Sequence, residues 1–339
     1  MNKNRKLVNL QLFAPQMNTT GSAGLSAENK IFYDKVLIRD AKPYLVHDQF
    51  AQKRNIPKNG GKTIEFRKFG SLPKALTPLT EGVTPDGSLM DVTAITATVA
   101  QYGDYVKITD MVKLTTIDNT LVEAVSMLGD QAGVTLDTIT RDAMAAGTNV
   151  IYAGGRLSRA TLTDSDTLTV DLVKRASTQL KRHNTPKIDG SYVAIIHPDA
   201  AYDLTSDNAW IDVHKYADVT PIFEGEIGKI AGVRFVGSTE AKIWKDNTCP
   251  VLTAASEGVD ATYKAVFSTV VVGKNAYATT DVEGGGLETI IKPLGSGDDP
   301  LNQRATAGWK AIKTAKILNN SFMVRIETLS AYSALEEAN

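Results

Sequence analysis

Residues 118–147 read DNTLVEAVSMLGDQAGVTLDTITRDAMAAG, and the rest of the chain is organised around this stretch. Its apolar side chains recur at steps of three or four residues, the spacing that places them on one face of an α-helix. The members of this stripe are Leu121, Val125, Leu128, Ala132, Leu136, Ile139, Ala143 and Ala146. Asp118 suits the N-cap, and Gly147 suits the position just after the last turn. At ~1.5 Å per residue the pattern predicts a helix of roughly 40 Å, long enough to be the backbone of a fold.

Composition restricts the class of protein. In 339 residues, 37 Lys and Arg nearly balance 38 Asp and Glu, which argues against a dedicated nucleic-acid-coating protein and leaves little repulsion to oppose self-association. The single cysteine, Cys249, excludes an internal disulfide and is expected to be an inert thiol. No apolar run approaches the ~18 residues of a membrane span. Residues 7–13 differ from a signal peptide because Asn9 and Gln11 interrupt them, so we expect a cytoplasmic product.

Two segments of alternating polarity flank a stretch rich in proline and glycine. Ile64 and Phe66 alternate with charged residues in the first segment, and a Thr-rich alternation runs over residues 92–102. Residues 70–90 between them have no steady period. The pattern predicts an extended β-arm over residues 62–102. An isolated hairpin is marginal in water, so this arm needs a partner surface, which another chain can supply.

The second half of the chain alternates between strand and helix patterns. Over about residues 160–280 the alternation suggests one α/β domain. Near the end, residues 309–318 and 322–328 are predicted strands. The turn signal Asn319-Asn320-Ser321 between them predicts that they pair as a hairpin.

No motif predicts a catalytic, cofactor or metal site. Gly60-Gly61-Lys62-Thr63 looks like the end of a phosphate-binding loop, but Ile56 replaces the first glycine and a strand follows instead of a helix. A turn before a strand is the better interpretation. Asp212 and His214 offer two metal ligands without a third. His197 follows a strand, where catalytic residues do occur, but no nucleophile motif accompanies it, so a structural turn residue is favoured.

Two further groups of charged residues receive structural interpretations. Asp164 and Asp166 are expected to cap the helix that follows them. Lys310, Lys313 and Lys316 are expected to lie near one another along a strand, where they face nucleic acid or, more commonly, solvent. The distinctive features of the chain are therefore mechanical: a mobile terminus, a β-arm, a long helix and a terminal hairpin.

The order of these elements and several short motifs resemble those of tailed-phage major capsid proteins. Residues 9–14, NLQLFA, look like the start of many tailed-phage coat proteins. The motifs PKNGGKTIEFR (57–67), LTEGVTP (79–85) and QYGDY (101–105) are similar to the phage N-four type of this family. The resemblance covers about residues 28–330 and implies an α+β chain with the Hong Kong 97-type capsid fold.

The resemblance also implies a division of the chain and a set of contacts. The implied units are a mobile N-terminal arm (1–25), a helical segment (26–61), the extended β-arm or E-loop with supporting strands (62–102), a peripheral domain with the spine helix 118–147 (103–155), an axial domain (156–286) and return strands of the peripheral domain (287–339). Inter-subunit contact by the arm tip is assigned to Leu79, Thr80, Glu81, Gly82 and Val83. Packing of the spine helix is assigned to Leu121, Val125, Leu128 and Leu136.

The implied function is that of a major capsid protein in the virion of a tailed bacteriophage. Such a chain is made in the host cytoplasm and assembles there into hexamers, pentamers and an icosahedral shell around double-stranded DNA. Implied partners are other copies of the chain, scaffolding, portal and decoration proteins, and packaged DNA by non-specific contact; no membrane, cofactor or enzymatic activity is expected. Two alternatives remain open: a shell protein of a cellular nanocompartment, and a soluble α/β enzyme with its site near His197 and His214.

Overall fold

A computed structural model describes residues 37, 45–70, 72, 74–79, 81, 82, 84, 86–115, 120–211, 226–253, 262–296 and 299–339. The predicted mobile terminus (1–25), the predicted N-cap Asp118 and, apart from Leu37, residues 26–44 of the predicted helical segment lie outside this set. The helices are Asp110–Thr115 (α1), Thr120–Ala145 (α2), Val170–Arg182 (α3) and Pro198–Ser206 (α4), with short 3₁₀ turns at Ala153–Gly155, Arg159–Thr161 and Asn320–Phe322.

The strands form two large sheets and two separate hairpins. In chain order they are Gln52–Lys53 (β1), Thr63–Phe69 (β2), Val92–Thr98 (β3), Ala100–Thr109 (β4), Val150–Tyr152 (β5), Tyr192–Ile196 (β6), Glu226–Ile230 (β7), Val233–Gly237 (β8), Ile243–Trp244 (β9), Val251–Thr253 (β10), Thr262–Tyr263 (β11), Val266–Val272 (β12), Tyr277–Thr280 (β13), Glu288–Lys292 (β14), Arg304–Ile317 (β15) and Met323–Thr328 (β16). Residues 45–61, predicted as part of a helical segment, form turns and β1 instead.

The long helix predicted from the apolar stripe is present as α2. It packs across β15, and the buried residues of this contact are Leu37, Val125, Leu128, Ala132, Leu136, Ala307, Trp309 and Ala311, with Leu121 half-buried beside them. The chain leaves the helix at Gly147 without the left-handed backbone of the predicted cap. A Cβ there would lie 2.7 Å from Cε of Met323. That methyl group ends a flexible side chain and can move aside, so packing does not by itself require the glycine.

The sheet beneath the first part of α2 has five strands. Its order is β1-β13-β15-β14, and β4 also pairs with β15. The β4–β15 pairing is antiparallel, with Ala100 opposite Lys313 at one end and Thr109 opposite Arg304 at the other. Successive side chains of a strand point to opposite faces of the sheet. Ala307, Trp309 and Ala311 face the helix, so Thr306, Gly308 and Lys310 lie on the opposite face.

The second sheet has seven strands in the order β5-β16-β12-β6-β8-β7, with β9 added to β12. One face carries Tyr192, Ala194 and Ile196 and is covered by α3 and α4. The other face carries Val193 and Ile195 and is covered by the last turn of α2 and by residues 46–51. The long helix therefore contacts both sheets, the five-stranded sheet along most of its length and the seven-stranded sheet at its end.

The prediction of a terminal hairpin at Asn319-Asn320-Ser321 is wrong. β15 and β16 are consecutive in the chain but belong to different sheets. The backbone N–H groups of Leu318 and Asn319 both donate to the carbonyl of Ala276, at 2.9 and 3.0 Å, and the Asn319 side chain accepts from the N–H of Ser321. These bonds fix a 3₁₀ turn that carries the chain from one sheet to the other. Residues 287–339 consequently supply strands to both sheets.

The arm, residues 63–98, is a two-stranded antiparallel hairpin outside both sheets. In the pairing of β2 with β3, Thr63 lies opposite Thr98 at the base and Phe69 lies opposite Val92 at the outer end. The strand predicted to continue to Tyr102 is interrupted at Val99, whose N–H donates to the carbonyl of Lys62 at 2.9 Å. Beyond this point the chain enters β4 and therefore belongs to the five-stranded sheet.

Gly154 lies in the 3₁₀ turn directly after β5, an edge strand of the seven-stranded sheet, and its surroundings allow a stability prediction with a matched control. Gly154 has φ +62°, and a Cβ there would lie 1.9 Å from Oδ1 of Asp166. That carboxylate cannot withdraw freely because Arg156 Nε donates to it at 3.0 Å and the N–H of Thr163 at 2.8 Å. Gly155 has φ +70° but open space around it.

We expect Gly154→Ala to lower the free energy of unfolding by more than ~2 kcal/mol, because backbone strain of about 1 kcal/mol is joined by loss of the Asp166 bonds. Gly155→Ala carries only the strain and should cost about 1 kcal/mol. Urea unfolding of the purified chain measures both values. Equal losses for the two variants would show that the contact with Asp166 contributes nothing.

Candidate assembly surfaces

The outer part of the arm is uncovered in the single chain. Every described residue from 67 to 94 is exposed. The exposed side chains include large apolar ones, namely Phe69, Leu72, Leu76, Leu79, Leu89, Met90 and Val92. Leu89 is 94% exposed and Leu79 is 77% exposed. Contiguous apolar exposure of this kind marks a surface that another macromolecule covers.

The predicted arm-tip residues lie on this uncovered segment as far as the structure describes them. Leu79, Glu81 and Gly82 are exposed, and Gly82 has φ +80° in a turn. Thr80 and Val83 are outside the described residues. Among the described residues, none therefore buries the described part of the tip.

The base of the arm is anchored, in contrast with its tip. Phe66 and Ala97 are buried against Ala278 of β13. Lys68 Nζ donates to Oδ1 of Asn319 at 3.1 Å. The hairpin therefore leaves the body of the subunit from a fixed base, which gives its exposed tip a defined starting point.

A second exposed surface is the face of the five-stranded sheet that points away from the long helix. Cross-strand pairing places Thr306 between Lys107 and Lys292, and Gly308 between Tyr105 and Ile290. The third row has Lys310 between Gly103 and Glu288. We call this surface the basic face, and its residues are Gly103, Tyr105, Lys107, Glu288, Ile290, Lys292, Thr306, Gly308 and Lys310. Most of this face, together with the loop residues Ser296 and Asp299 and with Arg304 at the start of β15, lines an open hollow of about 680 Å³.

The predicted structural role of His197 is confirmed. His197 is the N-cap of α4, and its Nδ1 accepts from the N–H of Asp199 at 3.2 Å. Its ring lies 5.1 Å from that of Phe267. Asp212 and His214, which were paired with it in the enzyme alternative, lie outside the described residues.

His197 gives the subunit a predictable response to acid. Burial lowers the pKa of His197, and the nearby carboxylates of Asp199, Glu336 and Glu240 only partly oppose this effect. The native state therefore favours the neutral ring, and the unfolded state binds more protons at and below its ordinary pKa of about 6.5. The resulting stability is complete above that value and is lost as the pH falls through it.

We expect His197→Asn to remove this part of the pH dependence, because an asparagine oxygen also caps a helix but does not titrate near neutrality. Unfolding free energies of both chains should be compared at several pH values between about 7.5 and 5. The stability of the unsubstituted chain relative to the variant should fall on acidification. A constant difference across this range would contradict the assignment.

Several charged residues have roles that the sequence did not predict. Lys313 does not lie beside Lys310 and Lys316, because a spacing of three in a strand places it on the opposite face. It is buried, with Nζ 2.9 Å from Oδ1 of Asp48 and 3.2 Å from the carbonyl of Leu136. The three lysines therefore do not form one nucleic-acid-binding or solvated row.

The predicted helix cap at Asp164 and Asp166 is also wrong. The N–H of Val170, at the start of α3, donates instead to Oδ2 of Asp207 at 2.9 Å. Asp166 closes its own loop through Thr163 and Arg156. The capping carboxylate is thus remote in sequence, where local spacing gives no signal.

Two further candidate sites lie in the described part of the chain. Residues 57–61 form a turn before β2, in which the N–H of Gly60 donates to the carbonyl of Pro57 at 2.9 Å. Cys249 is buried, and burial raises the pKa of its thiol. Within the described ranges, no three His, Cys, Asp or Glu side chains are placed to hold one metal ion. In the same part of the chain, no helix is both long and apolar enough to cross a membrane.

Comparison with known proteins decides the family. The model of the phage capsid protein family matches residues 112–292, more than half of the chain. The chain belongs to the phage capsid protein family. The matched segment includes the long helix and most of the seven-stranded sheet of this capsid protein. None of the curated proteins compared with the chain matches it.

Solved structures share the fold of this capsid protein. The capsid of cyanophage P-SCSP1u has a TM-score of 0.60 at 16% identity, covering 83% of this chain and 87% of that one. The capsid of Ralstonia phage GP4 has a TM-score of 0.61 at 16% identity, covering 86% and 88%. An encapsulin of Synechococcus elongatus has a TM-score of 0.53 at 7% identity, covering 86% and 89%. At such identities the likeness shows the fold alone, and it confirms the α+β, Hong Kong 97-type fold.

Proposed function

We propose that this capsid protein is the major subunit of a tailed-phage head, which assembles through hexamers and pentamers into an icosahedral shell around double-stranded DNA. The observation that carries the proposal is the anchored arm with an uncovered apolar tip. A solitary chain would gain nothing from this exposure, whereas a shell covers it with neighbouring copies. The driving force is the burial of apolar surface between subunits.

Magnitudes support the arm as a major contact. Complete burial of one Leu or Met side chain contributes ~1.5–3 kcal/mol. Leu76, Leu79, Leu89 and Met90 together would contribute on the order of 10 kcal/mol before the costs of association and ordering are subtracted. In this proposal Leu79, Thr80, Glu81, Gly82 and Val83 touch a neighbouring subunit, while the long helix is held inside its own subunit by Leu121, Val125, Leu128 and Leu136.

The two sheets suggest how the proposed domains are divided. The seven-stranded sheet with α3 and α4 would be the axial domain at the capsomer centre. The five-stranded sheet with α2 would be the peripheral domain, with α2 as the spine helix. Because β16 pairs inside the seven-stranded sheet, we assign it to the axial domain, although residues 287–339 were all expected in the peripheral domain.

The proposed role also implies where the protein is located and which partners it contacts. The protein would be made and assembled in the host cytoplasm and would remain in the virion, with scaffolding, portal and decoration proteins as further partners. Contact with packaged DNA would be non-specific. We propose no enzymatic activity and no cofactor, a view supported by membership of a family of structural proteins.

Electron microscopy and sedimentation of the purified protein test the proposal. Shells or capsomers are the expected result, and a chain that stays monomeric at high concentration would overturn it. The contents of shells recovered from producing cells separate the phage role from that of a nanocompartment. Nuclease-protected double-stranded DNA supports the former, and an enclosed enzyme supports the latter.

A further inference from the structure

The solvent-facing side of α3 concentrates basic side chains. The helix buries its apolar residues against the seven-stranded sheet, and the exposed stripe opposite them continues into the turn that follows the helix. Lys274 lies beside that turn, because its N–H donates to the carbonyl of Pro186 at 2.9 Å. We call this stripe the α3 surface, and its exposed residues are Lys174, Thr178, Lys181, Arg182, Lys187 and Lys274.

The positive charge of the α3 surface is not neutralised by the described part of the chain. Asp171 pairs with Arg175 on the same helix at 2.8 Å. In contrast, no carboxylate among the described residues lies within ion-pair distance of Lys174, Lys181 or Arg182. Residues 170–191 contain five Lys and Arg against two Asp, although the whole chain has a formal net charge of −1. The positive charge is therefore local, and it suits a negatively charged partner.

The ordinary reason for basic residues at the end of a helix covers only part of this surface. Lys181 and Arg182 lie in the last turn of α3, where cations interact favourably with the helix dipole. That effect falls off within the last turn. Lys174 lies about two turns earlier, and Lys187 and Lys274 lie outside the helix. A further role has to account for these three lysines.

The composition of the α3 surface fits a phosphate backbone better than a protein partner. Lys174, Thr178 and Arg182 line an open hollow of about 500 Å³, in which Ile151 is half-buried. Over residues 170–191, all of them described, no large apolar side chain is exposed. Interfaces between proteins have an apolar centre, as the outer arm does. Basic and hydroxyl side chains without such a centre are the groups that contact DNA phosphates.

We propose that the α3 surface contacts the backbone of the double-stranded DNA inside the shell, so that this side of the seven-stranded sheet faces the interior. Lys174 and Lys181 are separated by ~10 Å along the helix, a length over which a duplex carries about six phosphates. Contact of this kind depends on charge and reads no base sequence. The inference rests on the proposed shell function and names the surface at which the non-specific contact with DNA takes place.

The basic face of the five-stranded sheet is the competing site for DNA. On that face Glu288 pairs with Lys310 at 3.5 Å, so part of the positive charge is already neutralised. Its middle row also exposes the apolar side chains of Tyr105 and Ile290, which phosphates do not use. The observations therefore favour the α3 surface, and the basic face supplies a matched control.

Neutralisation of the α3 surface tests the contact by its salt dependence. The full chain is used as free subunits, capsomers or opened shells, so that a fluorescent duplex of about 30 base pairs and mixed sequence reaches both sides. Lys174→Gln, Lys181→Gln and Arg182→Gln in one chain should weaken binding roughly tenfold or more at low salt. The slope of log K against log salt should fall by about 2–3, since each phosphate contact contributes about 0.9. Glutamine is a good helix former, and circular dichroism verifies that α3 is retained.

The control variant removes the same charge from the basic face. Lys107→Gln, Lys292→Gln and Lys310→Gln in one chain should leave the slope unchanged. An unchanged slope in the α3 variant, or an equal fall in both variants, overturns the inference, while shells seen by electron microscopy keep the proposed function. Polyglutamate is the second probe. If it binds through the α3 surface and the duplex does not bind, the partner is an acidic protein and the inference is overturned.

Lysine acetylation tests the placement inside the shell. In shells that retain DNA, Lys174, Lys181 and Lys187 should react more slowly with N-hydroxysuccinimide acetate than in shells emptied of DNA, as mass spectrometry measures. Lys107 and Lys292 should react equally in filled and emptied shells. Equal reactivity of the α3 lysines in the two preparations overturns the proposed contact, and protection of Lys107 and Lys292 alone transfers it to the basic face.

Discussion

A chain that lacks residues 72–88 is expected to fold normally and to form no shells. The described residues of the outer arm are exposed, so their removal takes no buried contact from the subunit. The hairpin can still close, because the deletion leaves every paired residue of β2 and β3 in place, from Thr63 opposite Thr98 to Phe69 opposite Val92. The N–H of Gly70 also still donates to the carbonyl of Asp91, at 2.9 Å. Surface changes of this kind usually alter stability by less than ~1 kcal/mol. Assembly, in contrast, loses an exposed segment that carries Leu72, Leu76 and Leu79.

Sedimentation velocity and electron microscopy measure this outcome, and thermal unfolding verifies that the shortened subunit is folded. Two point variants supply a matched comparison, since Leu89 and Leu157 are both 94% exposed. Leu89→Ser should weaken assembly, whereas Leu157→Ser, outside the arm, should leave it unchanged. Normal shells from the deletion variant, or equal effects of the two point variants, would contradict a role of the arm between subunits.

The elements that the sequence predicted well are those with a strong local period. The apolar stripe predicted a helix over 118–147, and the structure has Thr120–Ala145. The half-exposed strand around Ile64 and Phe66 was also placed correctly. Such segments are predictable because one face or both faces must meet the core, whatever the rest of the chain does.

The features that sequence reasoning missed depend on partners remote in the chain. Asn319-Asn320-Ser321 is a true turn, but the choice between pairing β15 with β16 and passing to another sheet depends on Ala276. The cap of α3 comes from Asp207, far along the chain. Lys313 was different, because its odd spacing from Lys310 within a strand already indicated opposite faces. The proposed arm-tip contacts cannot be read from one copy, since in that proposal their partner surface belongs to another copy.

The most damaging single substitution is expected at Glu327 of β16. This carboxylate is fully buried and accepts from Arg159 Nε at 2.7 Å and from Arg325 Nε at 2.8 Å. Arg159 also stacks 3.8 Å from the centre of the Trp244 ring. Burial acts to lower the pKa of Arg159, but pairing with Glu327 outweighs it and the net effect is a raised pKa. Arg325 in turn donates to the carbonyl of Gly147 at 2.9 Å, so the cluster fastens the end of the long helix to the seven-stranded sheet.

Glu327→Ala should lower the free energy of unfolding by ~3–5 kcal/mol, because it leaves the buried Arg325 and the largely buried Arg159 without their shared counter-charge. Domains are commonly stable by only ~5–15 kcal/mol, so this loss removes a large share of the total. Glu337→Ala is the matched control, since Glu337 also pairs with a basic side chain, Lys245 at 2.7 Å, but is 88% exposed. An exposed pair of this kind contributes about 0–1 kcal/mol. Denaturant unfolding of the two variants measures the difference, and similar losses would mean that the buried cluster does not hold helix and sheet together.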